Sequence, residues 1–310
     1  MQSNVLVSTQ DMPKVQWLTY RNQGIGGSDA AVVCGLSRWK SPITLWMEKT
    51  GQVEPEQLGE SAYWGSTLEP IIRSEFSDRT GYKVKELKAI LQHKRFPFML
   101  ANLDGIITDP HIGEGIFEAK TANAYSAAEW EQGIPDEYAL QIQHYMAVTG
   151  YKFAYVAVLI GGSKFLWRSI ERDEAVIDLI IQMESRFWRL VEQRIPPEID
   201  GSKASVELLN RLYPHSRKAS IELPQEALEL IDQYEAAQVE EKRIAEVKDL
   251  AANQLKALLG ENESGQAGNR LVTWKEVRSE RFDAKTLKVE HPDLYSQHLK
   301  ESSYRRFMVK

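Results

Sequence analysis

Two short segments, residues 103–108 and 116–121, set β-branched and aromatic residues among polar ones. The stretch between them, Asp109-Pro110-His111-Ile112-Gly113-Glu114-Gly115, is rich in turn formers. The pattern predicts a hairpin. If it closes about His111, Asp104 lies opposite Glu118, and Lys120, two residues on, projects from the same face. Helical patterns surround it. One runs from Ser61 as N-cap to Gly81 as C-terminal stop and carries Glu69. A second, Asp136–Thr149, is closed by Gly150 and carries Gln141, with Tyr145 one turn later on the same face. A third covers 173–194, and a short helix over 29–34 takes Ser28 as its N-cap. Residues 153–160 and 164–170 read as further strands. This order predicts an α/β fold, a mixed central sheet flanked by helices.

Past Pro196-Pro197 the pattern changes. Residues 223–259 are charged and helix-favouring, with Pro224 at the start, Gly260 at the end and apolar positions at Ala227, Leu230, Ile231, Tyr234, Ala237 and Val239. An amphipathic helix or short coiled-coil arm is expected, then a polar, Gly-rich loop over 260–269 and strand-like alternation at 271–277 and 304–310. The division expected is a catalytic domain over 1–198 and a helical C-terminal extension over 199–310. The extension is assigned to packing or subunit contact before DNA contact.

Composition narrows the chemistry. A chain of 310 residues with 43% hydrophobic content can bury a full core and carry an appendage. One cysteine, Cys34, excludes a disulfide framework and any zinc or iron–sulfur site built on several cysteines. The N-terminus lacks a signal-peptide pattern, and the most apolar stretch, 153–160, is too short to span a bilayer, so a cytoplasmic protein is expected. The net charge of −6 argues against a surface-wide nucleic-acid binder. It leaves room for a locally basic channel, since basic clusters remain at His93-Lys94-Arg95, Arg217-Lys218 and Arg305-Arg306.

Two carboxylates and an ammonium on an otherwise apolar strand pair are costly to bury unless compensated, and a divalent cation compensates them. Such oxygen donors suit Mg²⁺ or Mn²⁺, which take one or two carboxylates plus waters and phosphate oxygens. A lysine beside them favours negative charge developing at an attacked phosphate. The same residues also admit a plainer reading: a surface hairpin with a Glu–Lys pair, a solvated Glu69, surface glutamines at Gln141 and Gln143, an ion-paired Arg21, and Ser28 serving only as a cap. Trp17, Trp46 and Trp64 fit a core better than a stacking platform.

The order of several blocks decides between these readings. They are Trp17-Leu18-Thr19-Tyr20-Arg21, Gly24-Ile25-Gly26-Gly27-Ser28-Asp29-Ala30-Ala31, Leu36-Ser37-Arg38-Trp39-Lys40-Ser41-Pro42, Trp64-Gly65-Ser66-Thr67-Leu68-Glu69-Pro70, the hairpin, Gln141-Ile142-Gln143-His144-Tyr145, and Ile170-Glu171-Arg172-Asp173-Glu174. Across residues 14–195 the chain resembles the phage lambda exonuclease-like (YqaJ-type) viral recombinase family of the PD-(D/E)XK nuclease superfamily. The resemblance implies a PD-(D/E)XK nuclease core. It implies Asp104, Glu118, Glu69 and the Ala119 carbonyl as ligands to Mg²⁺ (Mn²⁺ as the substitute), two ions per site, Lys120 at the water, and Gln141 and Tyr145 beside them. It implies Arg21 and Ser28 at the 5′-phosphate, with Arg38 or Lys40 as the second basic contact. Tyr63 and Trp64, placed ahead of Glu69, are candidates for a strand wedge, and Trp17 is a further candidate for wedge or stacking. Two departures stand out: Leu103 replaces the superfamily's leading proline, and Asn102 stands where the lambda-type enzyme has a serine near the phosphate.

The function this implies is digestion of the 5′-ended strand of linear double-stranded DNA, leaving 3′ tails for recombination. The implied partners are a single-strand annealing protein and two further copies in a ring-shaped homotrimer, in a phage or prophage setting. A RecB-like or restriction-like nuclease shares the metal core and stays open as an alternative, as does a non-catalytic DNA-binding adaptor.

Overall fold

In the computed structural model, which describes residues 3–53, 59–280, 282–300 and 304–309, the chain divides into two units, 1–212 and 213–310. The boundary expected after residue 198 falls later because a helix over Lys203–Leu212 buries Ala204 and Leu208 and belongs to the first unit.

The first unit contains strands β1 (Ser3–Ser8), β2 (Ile25–Gly26), β3 (Lys83–Lys85), β4 (Ala89–His93), β5 (Met99–Ala101), β6 (Gly105–Asp109), β7 (Gly113–Ala122), β8 (Phe153–Ile160) and β9 (Lys164–Glu171). Its helices are α1 (Lys14–Arg21), α2 (Gly27–Val33), α3 (Pro42–Lys49), α4 (Glu60–Thr80), α5 (Ala127–Gln132), α6 (Asp136–Thr149), α7 (Glu174–Gln193) and α8 (Lys203–Leu212). Five strands form a mixed sheet in the order β3-β6-β7-β8-β9, parallel only between β7 and β8. A parallel neighbour needs a crossover, and α5 and α6 supply it. A second sheet, β1-β4-β5-β2, packs near α6.

Alternation on β7 sorts its side chains to two cores. Phe117 joins Ile72 and Phe76 of α4 with Ile107 and Ala157 on one face. Ile116 joins Ile142 and Met146 of α6 with Val156 and Val158 on the other. Spacings of three and four along α7 bury Ile177, Ile180, Glu184, Phe187 and Val191 as one stripe. Trp46 lies in the core with Ile25 and Phe187, as expected, whereas Trp64 is half exposed.

The hairpin closes about His111 as predicted, with Gly105 opposite Phe117 and Asp109 opposite Gly113. Asp109 holds the turn by accepting from the amides of His111 at 2.8 Å and Ile112 at 3.1 Å. Gly81 and Gly150 end α4 and α6 in the left-handed conformation, with φ of 76° and 81°. Other local expectations are corrected. The N-cap of α4 is Gly59, which puts Ser61 inside the first turn. Helix α2 starts at Gly27, so Ser28 lies in its first turn and does not cap it. Gln141 and Gln143 are buried, because α6 is enclosed by both sheets, α2 and α7.

The second unit is built on α9 (Glu226–Leu259), as the charged run implied. The expected loop over 260–269 contains a strand: β10 (Ser264–Ala267) pairs with β11 (Arg270–Thr273) through a turn at Gly268, φ 60°. Short helices α10 (Ala284–Glu290) and α11 (Pro292–Gln297) follow. Residues 304–309 form no strand, and Lys310 lies outside the described residues. No helix among the described residues is long and apolar enough to cross a membrane.

Gly27 is required by close packing. A Cβ there would fall 2.4 Å from the Tyr145 ring. Gly27→Ala is expected to cost about 1–3 kcal/mol by overpacking, read as a lower midpoint in denaturant; an unchanged midpoint would show that Tyr145 moves aside freely.

Candidate active site

Glu118 sits on β7, flanked on both sides by hydrogen-bonded strands, and is 2% exposed. Its Oε1 accepts from Lys120 Nζ and from Gln141 Nε2, both at 2.7 Å, and its Oε2 is buried with no partner. Lys120 also donates to Gln141 Oε1 at 3.0 Å, and Gln141 Nε2 lies 3.0 Å from the Tyr145 hydroxyl. Asp104 immediately precedes β6, and its Oδ2 accepts from the Ala119 amide at 2.8 Å. Period two on β7 and the four-residue turn of α6 thus bring together five predicted residues: Asp104, Glu118, Lys120, Gln141 and Tyr145. Glu69 lines the same cavity from α4, where Pro70 deprives the Ser66 carbonyl of its helical donor.

Crowded, desolvated acids hold their protons. Burial, then the nearby Asp104 charge, raises Glu118 to about 8 and Glu69 to about 7. Asp104 is raised as well, chiefly by burial. Burial opposes the charge on Lys120, but Glu118 and Asp104 outweigh it and push its pKa up.

The donor set fits a divalent cation. An orphaned carboxylate oxygen stands beside a second carboxylate and the main chain of Ala119, and a hard cation needs one or two carboxylates with further oxygens. No group of three candidate ligands among His, Cys, Asp and Glu converges on one point among the described residues. Glu69 is instead turned toward Arg73, at 3.4 Å, while the Lys120 ammonium supplies the positive charge on Glu118.

Arg73 is the residue the sequence reading missed. Its Nη1 donates to the Asp104 carbonyl at 2.6 Å as well as to Glu69, and its Nη2 lies 3.7 Å from Glu86. The legible signal was its place one turn after Glu69 on α4. It fixes the main chain at Asp104 from outside the acid pair.

The acids form one part of the wall of a cavity of about 430 Å³ that also includes Trp17, Arg21, Gly26, Ser28 and Asn102. Arg21 donates to the Ser28 hydroxyl and lies 5.2 Å above the Trp17 ring, whose Nε1 donates to Asn102 Oδ1 at 3.2 Å. Beneath Arg21, Asp29 is buried. Burial opposes its charge, but Lys49 at 2.9 Å and Arg21 at 3.6 Å hold it well below the usual carboxylate range. Lys49 also donates to the Arg21 carbonyl at 3.2 Å.

Arg38 and Lys40 do not reach this cavity. Arg38 pairs with Glu129 at 2.9 Å and Lys40 with Glu48 at 2.6 Å, because the loop carrying them leads away to α5 and α3. Tyr63 and Trp64 are exposed near the start of α4, outside the cavity lining, and touch edge to face at 5.5 Å.

Fold and site together define a PD-(D/E)XK-type core of the lambda exonuclease class. Residues 16–152 match the YqaJ-like viral recombinase domain. The uncharacterized protein YqaJ of Bacillus subtilis (strain 168) is 43% identical over 318 residues, covering 99% of this chain and 98% of its own. The chain belongs to the YqaJ-like viral recombinase family. Its fold is that of the alkaline exonuclease LHK-Exo of Laribacter hongkongensis, with a TM-score of 0.51 and 23% identity, covering 65% of this chain and 98% of the exonuclease. The same exonuclease in complex with dAMP matches at TM-score 0.51 and 24% identity.

Two outcomes follow. Arg73→Leu should weaken divalent-cation binding about 10- to 100-fold, read by titration calorimetry, with the fold retained; unchanged binding would assign Arg73 to packing alone. The raised Glu118 and Glu69 bind more protons folded than unfolded between about pH 4.5 and 8. Cation-free stability should therefore fall as pH rises through that window, and added Mg²⁺ should raise the melting temperature more at pH 8.5 than at pH 5.5. An equal Mg²⁺ increment at both pH values would contradict those protonation states.

Proposed function

We propose that the protein is a Mg²⁺-dependent exonuclease that digests the 5′-ended strand of linear double-stranded DNA and leaves a 3′ single-stranded tail for strand-annealing recombination. The observation that carries this reading is the unpartnered Glu118 Oε2 beside Asp104 and Lys120, in a cavity shared with Arg21 and Ser28. One region supports hydrolysis and the other supports holding the terminal phosphate.

Asp104, Glu118, Glu69 and the Ala119 carbonyl would hold the ion, with Arg73 keeping the Asp104 main chain in place. When bound, the ion supplies positive charge at the scissile phosphate and acidity to a nearby water. Lys120 orients the attacking water and stabilises charge on the phosphate oxygens. Gln141, held by Tyr145, keeps the Glu118 carboxylate turned inward. Arg21 and Ser28 donate to the 5′-phosphate, Asn102 contributes a polar edge, and the Asp29–Lys49 pair below keeps Arg21 in place. A mononucleotide product agrees with the capture of dAMP by LHK-Exo. Family membership further supports cytoplasmic action with a single-strand annealing protein, and closure of three copies into a ring.

The test is digestion of 5′-phosphorylated linear duplex, 5′-hydroxyl duplex and closed circles, with Mg²⁺ or EDTA. Release of nucleotides that prefers 5′-phosphate, spares circles and stops in EDTA is expected; nicking of circles or activity in EDTA defeats the proposal. Lys120→Ala should reduce turnover by at least about 10²-fold with DNA binding retained. Arg21→Ala should impair 5′-phosphorylated ends far more than 5′-hydroxyl ends, and equal impairment would take Arg21 out of the phosphate contact.

A further inference from the structure

A second cleft, of about 510 Å³, is lined in part by Tyr138, which Lys120 of the first cavity touches. Lys120 Nζ lies 5.0 Å above the Tyr138 ring, and Tyr138 lines this cleft together with Thr121, inside β7, and Asn123, just past its end. Trp64 and Trp39 also line it. Trp39 is 79% exposed, Trp64 51%, and two neighbours in sequence of lining residues, Tyr63 and Tyr125, 61% and 97%. Two large aromatic surfaces left in water in one cleft, with Tyr63 against Trp64, mark a binding surface.

The rings are held in position. Tyr138 stacks on the buried Trp130 at 5.3 Å and 22° between planes, and the Trp64 indole donates to Glu60 at 3.2 Å. Arg38, which does not reach the phosphate cavity, anchors the Trp39 loop to α5 through Glu129. The Ser37 hydroxyl closes that loop by accepting from the Trp39 and Lys40 amides at 3.2 Å each. Among the described lining residues the only cation, Arg38, is tied to a carboxylate, and Glu60 and Glu137 add negative charge. Aromatic faces without a free cation suit the faces of bases better than phosphates.

We propose that this cleft is a base-stacking subsite for the nucleotide on the 3′ side of the scissile phosphate, with Trp39 and Trp64 as its platforms. The inference rests on the function proposed above. Side-chain contacts lead from Arg21 and Ser28 through Tyr145, which packs on Gly27, and Gln141 to Lys120 beside Glu118, and from Lys120 to Tyr138 in the aromatic cleft. A strand with its terminal phosphate at Arg21 and its first linkage at Asp104 and Glu118 runs past Lys120 into these rings. Stacking is tolerant of sequence, as digestion of any duplex end requires.

The test uses a 5′-phosphorylated duplex with 2-aminopurine as the second nucleotide of the 5′ strand, bound in EDTA so that no turnover is needed. Wild type should change the probe's fluorescence by stacking. The double variant Trp39→Ala/Trp64→Ala should lose that change and bind about 5- to 150-fold more weakly, while Trp39→Phe/Trp64→Phe retains most of both. Since both tryptophans are exposed, a melting temperature near wild type confirms that the loss is local. In Mg²⁺ the alanine pair should raise KM with kcat changed little. Unchanged affinity and fluorescence in the alanine variant overturn the subsite, whereas failure of wild type to digest linear duplex in Mg²⁺ overturns the enzymatic reading and leaves the EDTA binding result to decide the cleft.

Discussion

Glu118 must be buried as a carboxyl group on a central strand, and most of the site is arranged around that cost. No full set of protein donors reaches it: one oxygen is shared by Lys120 and Gln141 while the other has no partner. An unsatisfied buried polar atom is expensive wherever it occurs. Here it lies beside a second acid, and a cation would relieve both. The elevated protonation of Glu118 and Glu69 reports the same frustration in the cation-free protein.

The constraint propagates through contacts. Gln141 meets the Tyr145 hydroxyl, and the Tyr145 ring lies so close to Gly27 that no side chain fits there. Gly27 opens α2, whose next residues are Ser28, which accepts from Arg21, and Asp29, which pairs with Lys49 and Arg21. The acid pair and the Arg21 cavity are thus two parts of one packed assembly. A buried pair supports it from behind: His144 meets Glu184 at 2.7 Å and the Leu100 carbonyl at 2.8 Å, tying α6 to α7 and β5.

Charge is distributed with the same economy. The chain carries −6 overall, yet the cations nearest the acids are each committed: Lys120 to Glu118, Arg73 to Glu69 and Asp104, Lys49 to Asp29. Net charge was a poor guide to nucleic-acid chemistry because what matters is the field inside the cavity, set by a few desolvated groups.

Much of this was legible in the residues. The hairpin register about His111 followed from alternation and turn chemistry, which are local, and so did the stops of α4 and α6 at Gly81 and Gly150. The ordered blocks carried the family, the acid pair, Lys120, Glu69 and Gln141. Local rules misjudged Ser61 and Ser28 as caps, since glycines just upstream adopt the cap conformation without a side chain, and they took 260–269 for a loop because its glycines mask a short hairpin. What alternation and spacing could not decide was long-range: that Gln141 is buried under Glu118, that Arg73 holds the Asp104 carbonyl, that Arg38 serves the Trp39 loop and not the Arg21 cavity, and that Lys120 meets Tyr138 of a second, aromatic cleft. Periodicity determines which side of an element a residue faces; only the packing of elements distant in sequence determines what it faces there.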